Sequence, residues 1–310
     1  MNHFISLDDV SGDQIREILN RATALRDERR NQRPHASVLE GRTLAMIFEK
    51  PSLRTRVSFE QAIVELGGHA IVLGDAEVGL GRRESAADVA RVLNGMVHGI
   101  IARVYEHQKL LDMAQVVSFP VINALSDQCH PVQVLADAMT LIDEFGTDLS
   151  SLTVAYIGDG NNVTRSLATL CAKLRIRLTV AAPRGYDLEE AFVEGLRADA
   201  PGFEYEATHD PAAAVKRADA VYTDTWVSMG QERQAEERRV LFADYQINEK
   251  LMAEAPSRSI VLHCLPAYRG KEITDEIMDG PRSRVFLQAH NRLHAQKGLL
   301  AEIYAPRECA

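Results

Sequence analysis

The chain has 310 residues, which is long enough for two domains of ordinary size. Its hydrophobic content of 46% and charged content of 25% are typical of a soluble globular protein, and its net charge of −9 argues against nucleic acid or an anionic membrane as a partner. No apolar run approaches the length of a membrane span, and the N-terminus lacks a signal-peptide pattern. The four cysteines show no metal-ligand spacing, so we expect reduced thiols, no metal and a cytoplasmic location.

The first half of the chain predicts alternating helices and strands. Apolar residues at helical spacing indicate an early helix over 15–25. Strand-like runs with helical patterns between them lie at 43–48, 69–73, 98–104 and 120–125. A long helix is predicted over 132–145, and Gly146 is expected to end it.

A second alternating series begins at Leu152. Strands are predicted at 152–157, 177–182, 219–223 and 259–263. Helices are predicted near 163–174, 188–198, 246–255 and 289–304. This alternation predicts an α/β fold with two open parallel-sheet domains and helices on both faces of each sheet. Ligands of such sheets bind at the carboxyl ends of the strands, so we expect the active site in the cleft between the domains.

The segment after the first predicted strand is rich in hydroxyl and guanidinium groups. Ser52, Arg54, Thr55 and Arg56 stand between an apolar run and an amphipathic one, which places them at a helix N-terminus. Free backbone N–H groups and the helix dipole favour an anion there, and arginine adds planar donors that suit phosphate. Ser52 could instead only cap the helix while the arginines are solvated. A bound phosphate ester is the interpretation that the rest of the chain favours.

Two further sites in the first half have polar residues next to a predicted strand or helix. Arg103 follows an apolar run and could be a surface residue or the tip of a strand that presents it to a ligand. His130 precedes Pro131, a residue favoured in the first turn of a helix, and one turn brings His130 and Gln133 to the same side. The histidine could cap the helix or pack against its neighbours, or it could polarise the carbonyl oxygen of a ligand.

The loop 158–162 superficially resembles a dinucleotide-binding turn. It has two glycines between a strand and a helix, but the third glycine is missing, and the next strand leads into Pro183 and Arg184 rather than into an acid for a ribose hydroxyl. A tight turn alone would account for the two glycines. The side chain of Asn162 would then be available to contact a ligand.

Three motifs in the second half also follow predicted strands or open a predicted helix. Asp224 begins a turn that contains the only tryptophan and Ser228; the turn could simply be packed, or the acid could hold an ammonium while the hydroxyl or a backbone N–H holds a carboxylate. Cys264 follows His263 at a strand tip, where it could be an inert small hydrophobe or a wall of the site. A cysteine protease is not supported, because no specific nucleophile context surrounds Cys264. Arg292 is expected to begin the last helix.

The segments 52–56, 130–133, 224–230 and 263–267, in this order and together with Arg103, resemble the aspartate/ornithine carbamoyltransferase family over nearly the whole chain. The last two segments resemble its ornithine-specific branch. The resemblance implies transfer of the carbamoyl group of carbamoyl phosphate to the δ-amine of L-ornithine without a cofactor, in a homotrimer or a multiple of trimers.

The resemblance also implies a division of the chain and a set of site residues. Residues 1–135 with the C-terminal helix at about 290–310 would form the carbamoyl-phosphate-binding domain, and 136–289 the ornithine-binding domain. The catalytic residues would be Arg103, His130 and Cys264. Carbamoyl phosphate would contact Ser52, Leu53, Arg54, Thr55, Arg103, His130, Gln133, Cys264, Leu265 and Arg292. Ornithine would contact Asn162, Asp224, Ser228 and Met229.

Two positions depart from the family pattern. Leu53 replaces a common threonine, which leaves only a backbone N–H contact, and Gly79 replaces a glutamine that many ornithine enzymes lend to the neighbouring subunit. Within the loop 79–84, Arg82 or Arg83 is the candidate substitute.

Several other functions remain open from the sequence. An aspartate enzyme would need basic groups where this chain has Asp224. A carbamoyltransferase that acts on putrescine or on an N-acylornithine is harder to distinguish from an ornithine enzyme by sequence. A nicotinamide-dependent dehydrogenase and a catalytically silent binding protein are the alternatives from other classes.

Overall fold

The computed structural model describes residues 2–227 and 235–305. The chain divides into two compact units, one of residues 1–139 with 290–310 and one of residues 140–289. Each unit contains one parallel β-sheet. No helix within the described residues has both the length and the apolar character that crossing a membrane requires.

The first unit contains a four-stranded sheet in the order β2-β1-β3-β4. Its strands are β1 (Thr43–Phe48), β2 (His69–Gly74), β3 (Ile100–Arg103) and β4 (Val121–Leu125). The helices up to the middle of the chain are α1 (Gly12–Arg30), α2 (Leu53–Glu65), α3 (Asp75–Val78), α4 (Ala86–Asn94), α5 (Gln108–Ala114) and α6 (Pro131–Phe145). Strands β1 and β4 are almost completely buried, as expected for strands covered on both faces, whereas the edge strand β2 is only partly buried.

The second unit contains a five-stranded sheet in the order β7-β6-β5-β8-β9. Its strands are β5 (Thr153–Ile157), β6 (Arg177–Ala181), β7 (Tyr205–Thr208), β8 (Ala220–Thr223) and β9 (Ile260–His263). The helices of the second half are α7 (Asn162–Leu174), α8 (Glu190–Asp199), α9 (Pro211–Val215), α10 (Ala235–Leu241), α11 (Glu249–Glu254), α12 (Asp275–Met278) and α13 (Val285–Tyr304). The division between the units falls inside α6 and inside α13.

The prediction of an α/β fold with two parallel sheets is confirmed. Gly146 follows the last residue of α6 with φ +90° and donates its N–H to Ile142, as expected of a residue that ends a helix. One strand was not predicted: β7 has only four residues, and its two central side chains are exposed, so no apolar run marks it.

The prediction that Arg292 begins the last helix is wrong. Helix α13 begins at Val285, so Arg292 lies in its third turn rather than at its N-terminus. The start differs because Val285 and Gln288 are buried and Phe286 is exposed, a helical pattern that already begins before 289.

Candidate active site

The turn between β1 and α2 has the geometry of a helix N-terminus. Ser52 is the N-cap of α2 in an extended conformation, and its hydroxyl accepts a hydrogen bond from the Thr55 N–H at 3.4 Å. The same hydroxyl donates to Thr55 Oγ1 at 3.1 Å. The positive end of the α2 dipole therefore lies in this turn, beside Arg54. Leu53 is 74% exposed, and because its side chain is apolar it adds no polar group to the turn.

Arg292 connects this turn to α6 through hydrogen bonds to Thr55 and Gln133. Its side chain is 2% exposed, and Nη2 donates to Thr55 Oγ1 at 3.0 Å while Nη1 donates to Gln133 Oε1. Gln133 Nε2 in turn donates to Oδ1 of the fully buried Asp137 at 2.9 Å. The carboxylate of Asp137 thus orients the amide so that its oxygen faces the guanidinium, an arrangement that was not predicted because the four-residue spacing of Gln133 and Asp137 is unremarkable on a helix.

His130 lies just before α6 and is buried. Burial lowers its pKa well below the ordinary value, and the positive charges of Arg292, Arg103 and Arg54 lower it further. The imidazole is therefore neutral and can donate one N–H to a carbonyl oxygen. These three charges come from different parts of the first unit: Arg54 from the start of α2, Arg103 from the end of β3 and Arg292 from α13.

Arg103 is the last residue of β3 and pairs in register with Phe48, the last residue of β1. Its carbonyl accepts a hydrogen bond from the Glu49 N–H at 3.0 Å. Arg103 therefore lies at the same carboxyl edge of the sheet as the Ser52 turn, as parallel pairing of β1 and β3 requires.

Three neighbouring strands of the second unit also present polar side chains at their carboxyl ends. Asp224 follows β8, and its Oδ1 accepts a hydrogen bond from the thiol of Cys264, which follows β9, at 2.8 Å. Its Oδ2 accepts from Asn161 Nδ2, in the turn after β5, at 3.2 Å. Asp224 is buried and Cys264 half-buried, so a carboxylate with two neutral donors forms the centre of this group.

Asn161 is a site residue that the sequence reasoning missed. It is the N-cap of α7, where its Oδ1 accepts from the N–H groups of Val163 and Thr164 at 2.9 and 3.1 Å. The predicted residue Asn162 is the first residue of α7 and is half-buried. The signal that could have identified Asn161 is the preference for asparagine directly before a helix.

The two glycines of the loop 158–162 are explained by packing. Gly158 has φ +146°, and a Cβ on Gly160 would lie 2.7 Å from the carbonyl group of Asp187. The close approach at Gly160 is to the protein's own backbone, so it requires glycine whether or not a ligand binds. A dinucleotide site gains no support from this loop.

His263 holds the turn that follows β9. Its Nδ1 accepts from the Leu265 N–H at 2.9 Å, and its Nε2 lies 3.2 Å from Glu272 Oε1. Leu265 is half-buried with φ +58°, a conformation that this hydrogen bond supports. Ligand atoms of Asp224, His263 and Cys264 lie within 4.8 Å of one another, but both imidazole nitrogens are already engaged, which disfavours a metal.

Ser228 and Met229, predicted to contact ornithine, lie outside the described residues.

Two family models match the chain. Residues 2–143 match the carbamoyl-P binding domain of aspartate/ornithine carbamoyltransferase, and residues 150–303 match the Asp/Orn binding domain of the same family. Together the matches span nearly the whole chain. The chain belongs to the aspartate/ornithine carbamoyltransferase family.

Relatives within this family cover almost the full length. The chain is 48% identical to an ornithine carbamoyltransferase of Pyrococcus abyssi over 96% of its own length and 94% of that protein. It is 48% identical over the same shares to a protein of Pyrococcus furiosus named ornithine carbamoyltransferase, anabolic. A solved ornithine carbamoyltransferase structure from Pyrococcus furiosus superimposes with a TM-score of 0.94 at 46% identity, over 99% of this chain and 98% of that one.

The two family matches separate most of the residues predicted to contact carbamoyl phosphate from those predicted to contact ornithine. The carbamoyl-P binding match contains the Ser52 turn, Arg103, His130 and Gln133. The Asp/Orn binding match contains Asn162, Asp224 and the Cys264–Leu265 pair, and its C-terminal part contains Arg292. The cationic residues of the predicted site therefore fall in the first match, except for Arg292, which groups with the first unit.

Proposed function

We propose that the chain transfers the carbamoyl group of carbamoyl phosphate to the δ-amine of L-ornithine, giving L-citrulline and phosphate. The observation that carries the choice of acceptor is Asp224, which accepts hydrogen bonds only from neutral donors among the described residues and so keeps its charge for an ammonium group. The family matches and the names of the relatives support the carbamoyl transfer itself.

Carbamoyl phosphate binds through its two ends. The phosphate occupies the N-terminus of α2, where Ser52, Arg54, Thr55 and the Leu53 N–H donate to its oxygens. Arg103 and neutral His130 donate to the carbamoyl oxygen, Gln133 addresses the carbamoyl amine, and Arg292 supports Gln133 and Thr55 from α13.

The reaction is acyl transfer to a neutral amine. The δ-nitrogen attacks the carbamoyl carbon, an N–C bond forms, the C–O bond to phosphate breaks, and the departing phosphate takes up the proton that the amine loses, so that it leaves as hydrogen phosphate. The negative charge that develops on the carbonyl oxygen is stabilised by Arg103, His130 and Thr55; removing one such donor typically lowers turnover about 100- to 1,000-fold. No redox step or metal-bound water is needed.

Ornithine binds through its α-carbon substituents. Asp224 accepts from the α-ammonium, Asn162 contributes an amide, and Ser228 and Met229 hold the carboxylate end. Cys264 and Leu265 lie beside the amine and the carbonyl that it attacks. In this proposal residues 1–135 with the C-terminal helix are the carbamoyl-phosphate-binding domain, and 136–289 the ornithine-binding domain.

The chain functions as a homotrimer or a multiple of trimers in the cytoplasm. Support for self-association comes from the first unit, where β2 is an uncovered edge strand with Ile71 40% exposed, and Val57 and Val64 of α2 are also exposed. Within the loop 79–84, Arg82 pairs with Asp75, which leaves Arg83 as the better donor to a neighbouring site.

A subunit-mixing experiment tests the role of Arg83. Arg83→Ala and His130→Ala are each expected to lose most activity as pure proteins. Unfolding and refolding a mixture of them should restore part of the activity, because some sites then receive both native residues. No recovery on mixing would place Arg83 outside the neighbouring site.

The proposed reaction is tested by measuring citrulline with purified protein, carbamoyl phosphate and L-ornithine. Putrescine and N-acetylornithine are the competing acceptors, since each lacks one of the groups that the α-carbon clamp binds. A higher kcat/KM with either of them would overturn the assignment to ornithine. Titration with NAD, followed by cofactor fluorescence, checks the dehydrogenase alternative.

A further inference from the structure

A buried ion pair in the second unit involves two residues that are not among the predicted substrate contacts. Arg238 on α10 is 3% exposed, and both its Nη1 and Nη2 donate to Asp159 Oδ2, at 2.8 and 2.7 Å. Asp159 is 8% exposed. Taking two charges out of water is costly, so a pair of this kind is weak support for stability and calls for another explanation.

Arg238 is held in one orientation by its other neighbours. Its guanidinium carbon lies 4.7 Å from the ring centre of Tyr186 and 5.4 Å from that of Phe242. Its Nη1 also donates to the carbonyl of Trp226 at 3.2 Å. The ring of Trp226 packs against Phe242 with the centres 6.1 Å apart. Arg238 therefore fixes the backbone of the turn 224–227 that follows β8.

Asp159 belongs to a different turn, the one that follows β5. Its carbonyl accepts from Thr164 Oγ1 at 2.6 Å, which ties it to the first turn of α7. Two residues later, Asn161 donates to Asp224 Oδ2 at 3.2 Å. One guanidinium thus holds the turn that carries Asn161 and the turn that carries Asp224, and the two turns meet through a hydrogen bond.

We infer that Arg238 and Asp159 are positioning residues for the acceptor substrate, which fix the turns after β5 and β8 so that Asn162 and Asp224 grip the α-carbon of the amino acid. The inference rests on the proposed function. Neither residue contacts the reacting atoms; both act through the backbone and through Asn161. A displacement of about 1 Å in such a site can lower the rate roughly 100-fold.

The first test is kinetic and uses Arg238→Met, Arg238→Lys and Asp159→Asn. We expect the ornithine KM to rise about 10- to 100-fold in Arg238→Met and less in the two conservative variants, while the KM for carbamoyl phosphate stays within twofold. Arg177→Met is the matched control, because Arg177 forms an ion pair with Glu204 in the same unit but at the start of β6, the opposite edge of the sheet. The control should retain both KM values.

The second test needs no turnover. Trp226 is the only tryptophan and is 5% exposed, so its emission and its quenching by acrylamide report on the turn 224–227. Arg238→Met should shift the emission to longer wavelength and increase the quenching at least about twofold, with Arg238→Lys intermediate and Arg177→Met unchanged.

The outcomes separate this inference from the proposed function. Absence of citrulline with the wild-type protein would refute the proposed reaction, whereas the fluorescence would still decide whether Arg238 holds the turn. An ornithine KM within twofold of wild type in folded Arg238→Met, or in Asp159→Asn if the former does not fold, overturns the inference. Equal rises in the KM for both substrates also overturn it, because they indicate general loosening.

Discussion

The thiol of Cys264 donates a hydrogen bond to Oδ1 of Asp224 across 2.8 Å, which makes the cysteine a partner of the carboxylate rather than an isolated nucleophile. The other carboxylate oxygen accepts from Asn161 at 3.2 Å. Both donors are neutral, so they orient Asp224 without cancelling its charge. The thiol of Cys264 thus has a clear task that does not require it to react.

This geometry predicts how Cys264 substitutions behave. Cys264→Ser keeps a donor near Asp224 and should keep kcat/KM for ornithine within about threefold of wild type. Cys264→Ala removes the donor, and the loss of about 1 kcal/mol should lower kcat/KM roughly fivefold. Steady-state kinetics at saturating carbamoyl phosphate would measure both. Identical values for the two variants would mean that the thiol only fills space.

A second prediction concerns the protonation of His130. Because burial and the three arginines hold its pKa well below the ordinary value, the imidazole stays neutral between about pH 6 and 8. His130→Ala should lose turnover about 100-fold, and His130→Asn, which keeps an N–H, should lose less. The rise of activity with pH, which reflects deprotonation of the amine, should keep its midpoint in His130→Asn. A shifted midpoint would assign that titration to the histidine.

Asp159 gives a third prediction, on stability. Burial raises its pKa from 3.8 to about 6; Arg238 opposes this rise, and the charge of Asp224 adds to it. Between about pH 4 and 6 the unfolded chain has released this proton while the folded chain retains it, so the stabilising contribution of Asp159 is lost as pH rises through that window. Relative to Asp159→Asn, the wild-type protein should lose about 3 kcal/mol of unfolding free energy from pH 4 to 7. Urea unfolding across this range would measure the difference, and parallel curves would contradict it.

A fourth prediction concerns Lys297, whose side chain is fully buried on α13. Its Nζ donates to Glu65 Oε2 at 2.7 Å and lies 3.0 Å from His35 Nε2. Lys297→Met leaves the largely buried carboxylate of Glu65 with only the more exposed Arg29, at 3.3 Å, as a cationic partner at full charge, and should destabilise the first unit by about 1.5–3 kcal/mol. The double variant Lys297→Met/Glu65→Leu removes both charges and should recover more than half of that loss. Thermal unfolding of the three proteins would decide, and a double variant no more stable than the single one would refute the pairing.

Much of the fold was predictable because buried parallel strands appear in the sequence as short apolar runs. The runs at 43–48 and 259–263 coincide with β1 and β9 to within one residue, since both strands are buried on two faces. The polar residues that follow them within four positions, Ser52 after β1 and Cys264 after β9, then had to lie at a carboxyl edge. Strand β7 escaped prediction because its exposed side chains give no such signal.

The pairings within the site were not predictable, because they join residues far apart in the chain. Asp159 and Arg238 are separated by 79 residues, and nothing in the short helix α10 distinguishes one of its charged side chains from the others. Asn161 was overlooked in favour of Asn162, since only the path of the backbone decides which of two adjacent amides faces Asp224. The local spacing of apolar residues determines which segments become helices or strands. The contacts within the site depend instead on the order of the strands in the sheet.

Arg292 bonds to Thr55, which stands 237 residues earlier, and to Gln133, which stands 159 residues earlier. During synthesis on the ribosome, the hydroxyl and the amide that it contacts are made long before the guanidinium that joins them. A nascent chain that stops short of α13 thus has the Ser52 turn but lacks one of the cations around His130. A premature stop codon before codon 292 would therefore remove a partner of Thr55 and Gln133 from the proposed phosphate site, although the whole Ser52 turn would already have been made.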